Sequence, residues 1–166
     1  MIKKFPLHAL ILSYVFFSSS TFADVFQIGG WSFSKEKDAM TDEVNVLAGL
    51  KSLPYDESGR TAAIAVRCFD KKPEVLIAAN GYFGHPTSKV MMRLDGGKPF
   101  SNEWSVAQGG KALFSLNPIM TAKQLLGHKE LLVRLQPYGK GDIDAKFNLS
   151  GVDNAIEEIR KVCGWH

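Results

Sequence analysis

The stretch that decides the fold is residues 63–78, which read AIAVRCFDKKPEVLIA. Within it, the apolar residues at positions 64, 66 and 68 alternate with residues 65 and 67, so their side chains lie on one face. This period of two is typical of a half-buried β-strand. Residues 70–73 (DKKP) have the composition of a turn, and residues 75–78 (VLIA) resume an apolar strand. Two strands joined by a short turn predict an antiparallel hairpin at this point.

The same alternation recurs along the chain and predicts a sheet built from successive hairpins. The turns between these segments contain glycine or proline, at spacings that suit an antiparallel meander. The further segments are 44–50, 90–94, 104–108, 112–116, 131–135 and 145–149. We therefore expect a curved antiparallel sheet of about seven strands.

Two segments late in the chain follow a helical rather than a strand period. Asn117 stands before a proline, which is a favourable N-cap followed by a favourable first helical residue, and Gly127 ends the apolar stripe. A second helix is predicted from Ser150, with Asp153 as a weak capping-box partner, to Cys163. Strand runs followed by two helices indicate an α+β fold.

The N-terminus has the pattern of a secretory signal peptide. Lys3 and Lys4 precede a mostly apolar run, and residues 18–23 (SSSTFA) end in a small-x-small sequence with Ala23 last. The apolar run is shorter than the roughly 20 residues that a membrane-spanning helix needs. We predict that residues 1–23 are a cleaved signal peptide and that residues 24–166 form a single exported α+β domain with no transmembrane segment, located in the periplasm or secreted.

The net charge of the predicted mature domain argues against a nucleic-acid partner. The whole chain has 20 basic and 17 acidic residues, a formal charge of +3. Removing the two lysines of the signal peptide leaves 18 basic residues, so the mature charge is about +1. A nucleic-acid-binding domain would show a strongly basic face.

Export also changes how the two cysteines are interpreted. An isolated pair in an oxidising compartment favours a disulfide, here between Cys68 in the strand pattern and Cys163 at the end of the second helix. A metal-binding pair and a catalytic thiol are the alternatives. The histidines His85, His128 and His166 are scattered rather than closely spaced with the cysteines, so no metal site or metal cofactor is predicted.

Three arginines form a candidate binding feature. Arg67, Arg93 and Arg134 each lie between two apolar strand residues, so all three project from the face opposite the predicted core. If their strands are neighbours, they form a basic stripe, with Asp42 and Asp95 as candidate counter-ions. Such a stripe would suit an anionic partner, although ordinary cross-strand charge pairing on a solvated face explains the same pattern.

No motif predicts catalysis or cofactor binding. The glycine pairs lack the spacing of a phosphate-binding loop, and neither a His-Glu-x-x-His nor a Gly-x-Ser-x-Gly motif is present. Asp142 and Asp144 share a face of a strand, but beside Gly141 they indicate an exposed turn rather than a catalytic pair. Residues 80–88 form a predicted loop that matches no motif, so any ligand of that loop stays open.

A series of short segments lies in a fixed order along the predicted mature chain. The series runs from Trp31 through Met40-Thr41-Asp42-Glu43, Val66-Arg67-Cys68, Arg93-Leu94-Asp95-Gly96-Gly97, Trp104-Ser105, Leu132-Val133-Arg134 with Pro137-Tyr138, Phe147-Asn148-Leu149-Ser150-Gly151, and Cys163-Gly164-Trp165. This ordered series resembles a known family, the type VI secretion-associated accessory proteins called VasI or TagO. The similarity covers nearly all of the predicted mature chain.

This resemblance implies a small exported accessory protein without enzymatic activity, and it supports the pairing of Cys68 with Cys163. The predicted function is therefore that of a non-enzymatic accessory or adaptor protein of the bacterial envelope, associated with type VI secretion, whose partner is an envelope or secretion-machinery protein. Two alternatives remain: an envelope binding module or inhibitor of a cell-wall hydrolase, and a small envelope hydrolase.

Overall fold

The structure, a computed structural model, describes residues 24–84 and 86–166, so the predicted signal peptide and His85 lie outside the described residues. Within these ranges the chain forms ten strands and two helices. They are β1 (Asp24–Ile28), β2 (Trp31–Lys37), β3 (Val44–Lys51), β4 (Ala63–Phe69), β5 (Lys72–Ala78), β6 (Thr87–Leu94), β7 (Phe100–Val106), β8 (Ala112–Ser115), α1 (Pro118–Leu125), β9 (Glu130–Leu135), β10 (Ile143–Asn148) and α2 (Val152–Cys163).

All ten strands belong to one antiparallel sheet, in the order β1-β2-β3-β4-β5-β8-β7-β6-β9-β10. The first five strands form the predicted meander. After β5 the strand order no longer follows the sequence. β8 pairs with β5, and β6 lies two strands beyond β8. The antiparallel α+β class is thereby confirmed.

The prediction of about seven strands is wrong, chiefly because the N-terminal hairpin was missed. β1 and β2 pair from Asp24 opposite Lys35 to Ile28 opposite Trp31, and Gly29 takes a φ of +60° in the turn between them. A positive φ at the first turn residue suits a tight two-residue hairpin. The mixed composition of β1 (DVFQI) and the charged end of β2 give only a weak strand period, whereas β2 pairs with β3 and β1 pairs with β2.

The core lies on one face of the curved sheet. Alternate residues of the central strands are buried, as their period of two predicts, and paired residues such as Val66 and Val75 point to the same side. The curvature brings the end of the sheet back towards β3, where the Leu53 N–H donates to the Lys146 carbonyl at 2.8 Å. The two helices pack near β3, β4 and β5.

Both helices are found close to the predicted positions, but their N-termini differ from the prediction. The Asn117 side chain makes no capping hydrogen bond to α1. At α2 the capping position is Gly151, with φ of +90°, instead of Ser150. The Asp153 carboxylate accepts a hydrogen bond from the Gly127 N–H at 2.8 Å instead of closing a capping box. That contact links the start of α2 to the turn that follows α1.

The predicted disulfide is present and ties the final helix to the sheet. Cys68 of β4 is bonded to Cys163, the last residue of α2, with a Cα–Cα distance of 5.6 Å. Trp165, two residues further on, is buried against the same core. Because these are the only cysteines in the sequence, the alternatives of a metal-binding pair and a free catalytic thiol do not apply to this structure.

Candidate functional site

The three candidate arginines lie on the outer face of the sheet, but the sheet order does not place them in one stripe. Arg67 is on β4, and three strands separate it from Arg93 on β6. Only Arg93 and Arg134 lie on neighbouring strands, because β6 pairs with β9. The strand adjacency that a continuous stripe requires is therefore met by two of the three residues.

Arg67 makes cross-strand contacts. Its Nε donates to the Glu74 carboxylate at 2.5 Å, and the two residues are opposite each other on β4 and β5. Its guanidinium also lies over the rings of Phe69 and Phe114, at 5.3 and 5.6 Å from their centroids. These contacts hold the charge against the sheet, which is the behaviour of a cross-strand pair.

Arg93 and Arg134 both line a cavity of about 200 Å³ on the outer face. Arg93 donates to the carbonyls of Gly96 and Gly97 at 2.6 and 2.9 Å, so it fastens the turn after β6. Arg134 forms a two-bond pair with Asp144 at 2.6 and 2.7 Å. Hydrogen bonding to Arg134 lowers the pKa of the Asp144 carboxyl.

The two candidate counter-ions have other partners. Asp42 pairs with Lys37 at 2.6 Å in the loop after β2. Asp95 pairs with the His128 ring at 2.8 Å. Among the described residues, neither carboxylate forms an ion pair with an arginine, which corrects the expectation that they would balance the stripe.

The first helix exposes an apolar surface that the sequence patterns did not single out. Its inner side chains, Ala122 and Leu125, are fully buried, whereas Leu116, two residues before α1, and Met120 are exposed to 56 and 62%. We call Leu116 and Met120 the α1 apolar surface. Both residues line a shallow cavity of about 650 Å³. Scattered apolar side chains are common on protein surfaces, but exposed apolar side chains that line the same cavity are typical of a contact site.

A smaller and more polar pocket lies where three loops meet at one end of the sheet. Its volume is about 240 Å³. Its lining residues are Tyr55, Asp56, Arg60, Asn80, Pro137, Lys140, Gly141, Asp142 and Ile143. We call it the loop pocket. The sequence offered one signal for it, the unassigned loop at residues 80–88, but gave no reason to group that loop with residues 55–60 and 137–143.

The described residues contain no cluster of three or more His, Cys, Asp or Glu side chains arranged to hold a metal ion. In the same part of the chain, neither helix is long and apolar enough to cross a membrane.

Comparison with known proteins gives one family and one similar fold. The family model described as "Type VI secretion system VasI, EvfG, VC_A0118" matches residues 34–165. Among solved structures, the chain resembles the crystal structure of invasion associated protein b from Bartonella henselae, with a TM-score of 0.59 and 14% identity over 86% of this chain and 100% of that chain. At that identity the likeness concerns the fold alone. No curated protein matches the chain. The match over residues 34–165 confirms the resemblance found in the sequence, and the chain belongs to the VasI family of type VI secretion system proteins.

Proposed function

We propose that this protein is an exported, non-enzymatic accessory protein of the bacterial envelope that serves type VI secretion by binding another protein of the secretion machinery. The family match over residues 34–165 carries the proposal. The signal-peptide pattern of residues 1–23 and the disulfide both favour an oxidising compartment, the periplasm or the exterior.

The α1 apolar surface is the proposed contact with the machinery. Exposed apolar patches often mark sites where proteins associate, because their burial removes apolar area from water. The position of this surface is fixed, since the other side of α1 packs on β5 and α2. Beside it, the Lys123 ammonium donates to the His166 carbonyl at 2.8 Å and fixes the end of the chain.

Deletion of the gene, with measurement of secreted tube protein, tests the role in secretion. Deletion should reduce secretion, and the wild-type gene should restore it. Unchanged secretion in the deletion strain would overturn the proposal. Export is tested by the mass of the protein recovered from the periplasm or the medium, which should begin at Asp24; a protein that retains Met1 and stays in the cytoplasm contradicts it.

Complementation with point variants tests the contact. Met120→Glu places a carboxylate on the α1 apolar surface, and a negative charge in the first turn of a helix favours the fold through the helix dipole. We expect a folded protein that fails to restore secretion. Met40→Glu is the matched control, because Met40 is 92% exposed in the loop before β3, and it should restore secretion fully. Full restoration by Met120→Glu would exclude the α1 apolar surface as the contact.

A further inference from the structure

The loop pocket has the features of a small-ligand site. It is formed by the loops after β3, β5 and β9, at the same end of the sheet. Loops held by a rigid sheet are frequent binding sites, because the sheet fixes their ends. At about 240 Å³ the pocket is smaller than the roughly 300–1,000 Å³ typical for drug-sized molecules. Its size suits a single ring-sized ligand.

The walls of the loop pocket are held by internal hydrogen bonds. The Tyr55 N–H donates to the Arg60 carbonyl at 2.9 Å and closes the first loop. The Asp56 carboxylate accepts bonds from Ser58 and Arg60, and the bond from the Ser58 hydroxyl is the main reason that the pKa of Asp56 is lowered. Because these bonds are internal to the protein, little ordering of the loop is needed when a ligand binds.

The second and third loops are joined to each other. The Tyr138 N–H donates to the Tyr82 carbonyl at 2.6 Å. Gly81 also lies so close to the Pro137 ring that a Cβ at Gly81 would approach it to 2.9 Å. The two loops therefore form one continuous wall.

The polar groups of the pocket include both donors and acceptors, and their charges balance. Arg60 is paired with Asp56 through Nε. Lys140 is in no ion pair within the described residues, and Asp142 has only a long contact of 3.6 Å, to Arg134. Two cations and two carboxylates thus line the site. The balance disfavours a strongly charged ligand and favours a neutral one that can donate and accept hydrogen bonds.

One aromatic residue, Tyr55, lines the pocket. The Tyr55 ring lies beneath the Arg60 guanidinium, at 5.9 Å, and the Tyr55 hydroxyl is buried without a hydrogen-bond partner among the described residues. A buried polar atom without a partner is unfavourable until something bonds to it. Tyr82 and Tyr138, which belong to the second and third loops but not to the lining, are 49 and 78% exposed. Such side chains present an apolar ring together with a polar tip.

We propose that the loop pocket binds a neutral sugar ring of a glycan. A pyranose has a ring of suitable size, hydroxyls that both donate and accept hydrogen bonds, and C–H faces that pack on tyrosine rings. Asn80, Lys140 and Asp142 bond the hydroxyls, and Tyr55, the aromatic residue of the lining, contacts the ring. This site is separate from the α1 apolar surface, so it holds or fails independently of the role in secretion.

Titration of the ¹⁵N-labelled domain, residues 24–166 with the disulfide formed, tests the proposal. Chitotetraose supplies N-acetylated sugars and maltotetraose supplies plain hexoses, so the two arms distinguish the sources of the ring. Trialanine is the non-sugar probe. At least one glycan should shift the resonances of residues 55–60, 80–84 and 137–143 with saturation. The proposal is overturned if neither glycan does so at millimolar concentration, or if trialanine binds there equally well.

Gly141→Trp tests whether the pocket itself is used. A Cβ at Gly141 meets nothing within 4 Å, so the indole can extend over the pocket without backbone strain. We expect at least a tenfold loss of glycan affinity. Lys98→Trp, in the exposed turn before β7, is the matched control and should bind normally. Asn80→Ala is a second variant that removes a pocket amide from an exposed loop, and it should weaken binding several-fold. Unchanged affinity in both pocket variants would refute the site.

Discussion

The Asp95 carboxylate accepts a hydrogen bond of 2.8 Å from the His128 ring, across 33 residues of sequence. The other carboxylate oxygen accepts bonds from the backbone N–H groups of Lys129 and Glu130, at 3.0 and 2.8 Å. One side chain after β6 thus satisfies three donors at the beginning of β9. The bond from His128 is the largest cause of the lowered pKa of Asp95.

Replacing this carboxylate should make the unfolding temperature depend less on pH in the acidic range. A carboxyl whose pKa is lowered by folding contributes stability above its unfolded value of 3.8, and that stability is lost as the pH falls through the folded pKa. Asp95→Asn should therefore lower the unfolding temperature at about pH 7, and the difference from wild type should shrink below about pH 3.5. Thermal unfolding followed by circular dichroism across this range measures it.

Asparagine is the suitable replacement because Asp95 has a φ of +46°, a conformation that asparagine tolerates well. The backbone is therefore not a second cause of any loss. A difference that stays constant down to about pH 2 would show that the charge of Asp95 is not responsible.

Removing the disulfide should lower the free energy of unfolding substantially. The bond closes a separation of 95 residues, for which the chain-entropy relation gives about 4–5 kcal/mol as an upper figure. We expect the double variant Cys68→Ala and Cys163→Ala to lose most of this, as measured by urea unfolding. A loss below about 1 kcal/mol would mean that the unfolded chain is already restricted. Free thiols in the exported protein would contradict the bond itself.

Gly29 should tolerate no side chain. The turn of the N-terminal hairpin packs directly on the chain before α2, and a Cβ at Gly29 would overlap the Ser150 carbonyl. With the strain of its positive φ, Gly29→Ala should cost about 2–5 kcal/mol in urea unfolding. Gly59→Ala is the control, because Gly59 also has a positive φ but has nothing within 4 Å of a Cβ. This control should lose only about 1–2 kcal/mol. Equal losses in the two variants would mean that the overlap at Gly29 does not affect the free energy of unfolding.

The Arg134–Asp144 pair should contribute little to stability despite its two short bonds. Both side chains are nearly half exposed, and ion pairs in water are weakened by solvent and by the cost of ordering long side chains. Asp144→Asn should lower the unfolding temperature less than Gly29→Ala does. The effect should become smaller at about 1 M salt, where the Debye length falls to about 3 Å. An effect that does not change with salt would indicate a structural role other than charge.

Much of the fold could be predicted because it depends on local patterns. The alternation in residues 64–68 and 131–135 identified strands, and the caps and glycines near residues 117 and 127 located α1. The N-terminal hairpin was not predicted because its strands have a weak period, and its position depends on the pairing of β2 with β3. The loop pocket could not be predicted for a related reason. Its residues Tyr55, Asn80 and Lys140 are distant in sequence and come together only in the folded, curved sheet.

The sequence by itself determined the α+β class, the pairing of Cys68 with Cys163 and membership of the VasI family, since periodicity, cysteine count and ordered motifs are all written along the chain. Tertiary structure alone decided which strands are neighbours. By placing β5 beside β8, it separated Arg67 from Arg93, left each charge with a partner of its own, and brought three distant loops around one pocket. The physical reason is that hydrogen bonding within a sheet depends on which strand edges meet, and the period of a single strand carries no information about its neighbour.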